Sequence, residues 1–208
     1  ARHYEDWQQR FPGLTMRTDG ELEEESEFTS ALLTYMGLAM LVIYALMAVA
    51  FRSYFQPMLV LTAVPFGIMG AIFGHMILDW EISMLSLMGV IACAGVVVND
   101  NLVLIDRINQ LRAGGHAVVE ALLQAGEGRF RPIILTSLTT FVGLLPIMSE
   151  TSMQAQFLIP MVISLAFGVL FATGVTLLLV PCLYLFGEQL SHHLLHRRQS
   201  LPDAIDGV

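Results

Sequence analysis

The sequence predicts an all-α membrane protein, a bundle of five transmembrane helices with a short cytoplasmic surface helix. Three observations lead there. The 208 residues are 55% hydrophobic and only 13% charged, with a mean hydropathy of +0.67, outside the range of an ordinary soluble domain. Five apolar segments are long enough to cross a bilayer, which takes about 20 such residues. And the arginines fall in alternate gaps between those segments, as they do when every second loop stays in the cytoplasm.

Residues 1–28 precede the first span and are acidic: the first 30 positions hold Arg2, Arg10 and Arg17 against Glu5, Asp6, Asp19 and a run of glutamates, so much of the net charge of -8 lies outside the apolar region. The stretch begins at Ala1 without an n-region or h-region and reads as part of a longer polypeptide. The spans are predicted at about 31–51, 57–78, 84–106, 132–150 and 157–186. Arg52 marks the first gap, Arg107, Arg112, Arg129 and Arg131 the third, and Arg197 and Arg198 the tail. The second and fourth gaps carry Asp79, Glu81 and Glu150 and no basic residue. Residues 1–28 are therefore expected outside the cytoplasm and the tail, 188–208, inside it.

The third gap, 107–131, contains HAVVEALLQA at 116–125, flanked by Gly114, Gly115, Gly126 and Gly128. It is helix-permissive but too short and polar to span, and is expected as a short helix on the cytoplasmic surface or an ordinary connecting helix packed on the loops. Small residues at Gly67, Gly70 and Gly74 in the second span, and at Gly89 and Gly95 in the third, mark close helix approach. Pro65 and Pro146 are expected to kink their spans. Cys93 and Cys182 lie in apolar runs and read as small buried hydrophobes.

The composition excludes some functions. There is no lysine and no basic stripe, so no nucleic-acid partner is expected. No nucleophile, cofactor loop or complete metal-ligand set supports an enzyme, a cofactor or a metal site. His192 and His196 have the i, i+4 spacing of a helical metal pair, but no cysteine or carboxylate completes it. His75 and His116 read as packing or surface residues, and the twelve methionines as packing and lipid-facing surface.

The chemistry-bearing stretch is GVVVNDNLVLID, 95–106. An ionisable residue inside a span costs about 2.5–3.5 kcal/mol on translocon scales, so it is a functional candidate by default. Asp100 lies about five residues past the midpoint of its predicted span, roughly 7.5 Å toward the cytoplasmic side, too deep for a short carboxylate to snorkel out. Asp106 is six residues on, about 240° around the helix, so the two acids share no face and do not form an aspartyl-protease pair. In RFRPIILTSLTTFVGLLP, Thr136, Thr139 and Thr140 share one face of the fourth span. They either pass a proton or bond toward Asp100, or they bond their own backbone carbonyls one turn earlier.

Taken in order, FRSYFQPMLVLTAVPFGIMGA, ISMLSLMGVIACAGVVVNDNLVLIDRINQLR, RFRPIILTSLTTFVGLLPIM and QAQFLIPMVISLAFGVLFATGVTLLLVPCLYL resemble the transmembrane part of the resistance-nodulation-division efflux pumps, the acriflavine-resistance type permeases, over about residues 20–187. The resemblance implies two similar halves, each with one helix, a periplasmic porter insertion and five more helices. The polar tail and the NDN wording imply the C-terminal half, residues 1–28 being the end of the porter domain. It implies proton-driven export of small molecules from the inner membrane by drug/proton antiport. The implied partners are the remainder of the pump polypeptide, membrane lipid, protons, a homotrimer of the pump, a periplasmic adaptor and an outer-membrane channel. By the same resemblance Asp100 and Asn99 occupy the proton-relay region, Thr136 matches a relay threonine, and Arg129 matches an arginine near the cytoplasmic entrance of its helix. The well-known drug pumps carry a lysine where this chain has Asn99. That departure leaves a second reading, a non-pumping scaffold or protein-export support component of the same superfamily.

Overall fold

The computed structural model describes residues 21–199, with side chains placed from Glu23 to Glu188. Most of the segment expected to end the porter domain, and the side chains of His192, His193 and His196, lie outside the described residues. The chain divides into two compact units, residues 1–39 and 40–208. In the first, the described residues are the opening turns of α1 (Glu21–Phe51), an exposed helix in which Thr34 Oγ1 donates to the Ser30 carbonyl at 2.8 Å.

The second unit holds the rest of α1, then α2 (Phe55–Leu61), α3 (Val64–Leu78), α4 (Met84–Ala113), α5 (Val118–Met148), α6 (Met153–Gln156) and α7 (Ile159–Gln199). With α2 and α3 counted as one span, five stretches are long and apolar enough to cross a membrane. The α2–α3 break falls at Thr62 and Ala63, just ahead of Pro65, which has no N–H to give the Leu61 carbonyl. The Thr62 hydroxyl donates to the Leu59 carbonyl at 2.6 Å at this joint. The expected kink is thus an interruption placed before the proline, whereas Pro132 and Pro146 both lie inside a continuous α5.

The helix expected at 116–125 is not a separate element. Its residues from Val118 form the first turns of α5, which runs on through Gly126 and Gly128 into the fourth span. A glycine in a helix interior costs about 1 kcal/mol relative to alanine, too little to end a helix that is packed. Ala121, Leu122 and Ala125 belong to the same core cluster as Ile105, Ile108 and Leu111 of α4, and that burial holds the segment helical. α4 likewise runs past its predicted end. At 30 residues it is about 45 Å long, against about 30 Å of hydrocarbon, so its polar last turns extend beyond an apolar layer.

α7 is the centre of the bundle, packing against α3, α4 and α5. Its buried stripe, Ile163, Ala166, Val169, Ala172, Thr173 and Val180, recurs at helical spacing. Close approach is made by glycine. A Cβ on Gly70 would lie 2.6 Å from Phe171 Cβ, one on Gly74 2.6 Å from the Phe167 ring, and one on Gly67 3.0 Å from Cys93 Sγ. One on Gly89 would collide with the Met161 carbonyl and lie 2.7 Å from Ser164 Cβ. Gly95 differs: a Cβ there would meet nothing within 4 Å, so the close contact expected of it is not made among the described residues. Phe141 meets Phe167 edge-on with ring centroids 5.3 Å apart, and Phe73 lies 5.4 Å from Phe171, locking α5 and α3 onto α7.

Candidate functional site

Asp100 falls at the middle of α4, and the helix period separates the three polar neighbours. The packed face of α4 runs through Cys93, Val97, Asn101, Leu104 and Ile108, at steps of three and four. Asn101 is therefore the member of the triplet that enters the bundle, and it is 3% exposed. Asn99 points away and is exposed; Asp100 sits at the edge, half-buried. Asp100 Oδ2 and Asn101 Nδ2 are both buried without a hydrogen-bond partner among the described residues. Leaving a buried polar group unpaired costs about 1–3 kcal/mol, more for a charged one, so two such atoms on adjacent residues call for a functional explanation. Asn101 was legible in principle: position 101 continues the apolar stripe set by Cys93 and Val97.

The other sequence-predicted residues are not gathered around Asp100. Thr136 is exposed and its hydroxyl donates to the Pro132 carbonyl at 2.8 Å, while Thr139 donates to the Leu135 carbonyl at 2.8 Å. Both make the local backbone bond that was the alternative to a cross-helix one. Arg129 is half-buried two turns earlier on α5. No hydrogen bond or ion pair joins Asp100 to Asn99, Thr136 or Arg129 among the described residues. From this stretch of α5 a hydroxyl bond does cross to another helix one residue on, where Ser137 Oγ and Thr173 Oγ1 are 2.7 Å apart and both buried.

Beside Asp100 runs a face of α4 that the other described residues leave exposed. Ala92, Gly95, Asn99 and Gln110 are exposed at three- and four-residue steps or multiples of them, with Asp106 half-buried among them. Small and polar side chains are what helices present to one another in a membrane, where an amide left facing hydrocarbon is costly.

The end of the bundle bearing the arginines is held by a side-chain network. Gln56 Nε2 donates to Asn109 Oδ1 at 2.9 Å and Asn109 Nδ2 donates back to Gln56 Oε1 at 2.8 Å. The Tyr184 hydroxyl donates to the same Asn109 oxygen at 3.2 Å, joining α2, α4 and α7. Arg112 adds an ion pair to Glu188 at 2.8 Å, but each side chain is about a third exposed, and such a pair is worth roughly 0–1 kcal/mol. Asn109→Ala should therefore cost about 1–3 kcal/mol, since it strips partners from two other helices at once. Arg112→Ala should cost less; thermal unfolding of the purified protein checks the order. No group of three or more potential metal ligands exists among the described residues.

Comparison with known proteins bears on the family and the fold. The sequence model of the AcrB/AcrD/AcrF family matches residues 5–188. The chain is 30% identical over 167 residues to the multidrug resistance protein MdtC of Proteus mirabilis, covering 80% of this chain and 16% of that protein. It is 30% identical over 172 residues to the cobalt-zinc-cadmium resistance protein CzcA of Cupriavidus metallidurans, covering 83% and 16%. It is 33% identical over 156 residues to the swarming motility protein SwrC of Bacillus subtilis, covering 73% and 15%. The fold matches the crystal structure of a heavy metal efflux pump with a TM-score of 0.73 over 90% of this chain and 20% of that one, at 23% identity. The chain thus spans about a sixth of the length of these curated relatives. An all-α bundle with five membrane-length helices, matched by the family along nearly all of its length, belongs to the AcrB/AcrD/AcrF family of resistance-nodulation-division efflux permeases and forms part of their transmembrane region.

Proposed function

We propose that this chain is the C-terminal transmembrane portion of an inner-membrane permease that exports small molecules by antiport against protons. The observation that carries the reading is Asp100 Oδ2, a carboxyl oxygen buried at mid-helix with no hydrogen-bond partner among the described residues. A carboxyl serving only to hold the fold would be expected to have its acceptors occupied. One that gains and loses a proton needs an oxygen free to do so. The uncovered α4 face carrying Asn99 supports the same reading, because the remainder of the pump polypeptide would pack there and close the relay around Asp100. Protonation would then shift a two-state helix packing, and the shift would be passed to the porter domain.

In this account Asp100 is the proton carrier, Asn99 and Thr136 line the relay once the other half is in place, and Arg129 stands at its cytoplasmic entrance. Residues 1–28 end the porter domain and the C-terminus faces the cytoplasm, consistent with the arginine-bearing ends of α4 and α5. Homotrimeric assembly with a periplasmic adaptor and an outer-membrane channel follows from the family. The names of the relatives cover drugs, metal ions and motility, so the porter domain rather than this region is expected to choose the substrate.

The reading is tested with the intact pump in proteoliposomes, using a fluorescent cationic dye as the drug probe and cobalt ion as the metal probe. An imposed pH gradient should drive uphill movement of at least one probe, and collapsing the gradient should stop it. A pump that assembles but moves neither probe under any gradient would favour the scaffold reading. Within the pump, Thr136→Val should slow transport less than loss of Asp100 does, because its hydroxyl already has a backbone acceptor.

A further inference from the structure

His75 lies near the C-terminal end of α3, is 3% exposed, and has both ring nitrogens engaged. Nδ1 is 2.9 Å from the Ala71 carbonyl oxygen and Nε2 is 2.9 Å from Ser86 Oγ on α4. A carbonyl can only accept, so the ring hydrogen is on Nδ1. In the neutral ring Nε2 then offers its lone pair, and the Ser86 hydroxyl donates to it. Ser86 Oγ in turn accepts the backbone N–H of Ser83, the N-cap of α4, at 3.1 Å. The resulting series, Ser83 N–H to Ser86 Oγ–H to His75 Nε2, with His75 Nδ1–H to Ala71, ties the last turns of α3 to the first turn of α4.

We propose that His75 and Ser86 form a proton-operated latch at the α3–α4 corner, closed with a neutral ring and opened by its protonation. The incoming proton takes the Nε2 lone pair, leaving an imidazolium with two donors and no acceptor. Ser86 must then accept from both Ser83 N–H and Nε2–H, and its own hydrogen loses its partner. Away from water that loss is not repaid by solvent.

Charge placement favours release of the protonated ring. Of the elements packed on this corner, α4 carries no charged residue before Asp100 and α7 none before Glu188, so neither brings a counter-charge to the buried ring. On its own side of the corner, Asp79 follows one turn after His75 as the left-handed C-cap of α3, with φ 55°, and Glu81 lies in the connection; both are exposed. The carboxylates that can pair with an imidazolium are thus outside the bundle, and the ring reaches them by leaving its pocket. Opening the corner frees the start of α4, the helix that carries Asp100. That this corner faces the side from which protons arrive rests on the proposed function; the latch itself does not.

The test is amide hydrogen exchange of the full-length pump in nanodiscs from about pH 8 to about pH 5, corrected for intrinsic exchange and read at residues 79–87. Protection there should fall about tenfold on acidification, the scale of one buried hydrogen bond. His75→Asn, whose amide keeps a donor for Ala71 but takes no proton, should be protected equally across the range. Ser86→Ala should be poorly protected at every pH. Protection in the native pump that does not change with pH, or a pH dependence that survives in either variant, would overturn the latch. If His75→Asn does not fold, Ser86→Ala alone decides, and no substrate or gradient is needed, so failure of the transport reading leaves the result interpretable.

Discussion

Asp100→Asn in the intact pump is expected to abolish gradient-driven transport while leaving expression, membrane insertion and assembly unchanged. The amide has almost the shape of the carboxyl, and Asp100 Oδ2 has no hydrogen bond to lose, so the substitution removes no contact among the described residues. It removes the ability to carry a proton. The loss should be about a hundredfold or more, the scale on which positioned proton-transfer groups act. Asp100→Glu keeps the titratable group but moves it about one bond length along the side chain, and should retain part of the activity. Equal transport by the native protein and the asparagine variant, at matched levels of assembled pump, would leave coupling to the other half of the pump.

Gly89→Val is expected to have the largest effect on folding. Even the first carbon of a side chain at position 89 collides with the Met161 carbonyl of α7 and lies against Ser164 Cβ. Backbone cannot move aside as a flexible side-chain tip can, so α4 and α7 must separate. Overpacking of this kind costs about 1–3 kcal/mol and occasionally more; here it falls on the contact between the central helix and the helix bearing Asp100. The purified protein should melt well below the native one or fail to accumulate. Gly95→Ala is the matched control: its Cβ would meet nothing within 4 Å, so the thermal transition should stay in place. A larger residue at 95 should spare the folding of this region yet harm transport, if the uncovered α4 face receives the rest of the pump.

Much of the architecture could be read from the residues because a membrane leaves few options: long apolar runs must be helices, and the arginines mark alternate ends. The ends of the helices were harder. The glycines at 126 and 128 read as stops, but their small cost is outweighed by burial of Ala121, Leu122 and Ala125 against α4, a tertiary contact with no local signal. The candidate site was legible in identity more than in direction. Asp100 stands out by charge alone, whereas whether Asn99 or Asn101 enters the bundle depends on which face of α4 meets α7, and that is set by Gly89 and Cys93 against α7. Ser137 does not stand out in sequence beside three threonines, because only the pairing with Thr173 distinguishes it. His75 reads by sequence as a packing or surface residue, since its partner Ser86 lies across a turn and on another helix.

The measurement that bears most directly on the account compares uphill dye or cobalt movement driven by an imposed pH gradient in proteoliposomes holding equal amounts of assembled native pump and Asp100→Asn variant, with gradient-free exchange of the same probe as control. The variant should still exchange the probe but no longer accumulate it against its gradient. Accumulation equal to that of the native pump would contradict a proton-carrying role for Asp100.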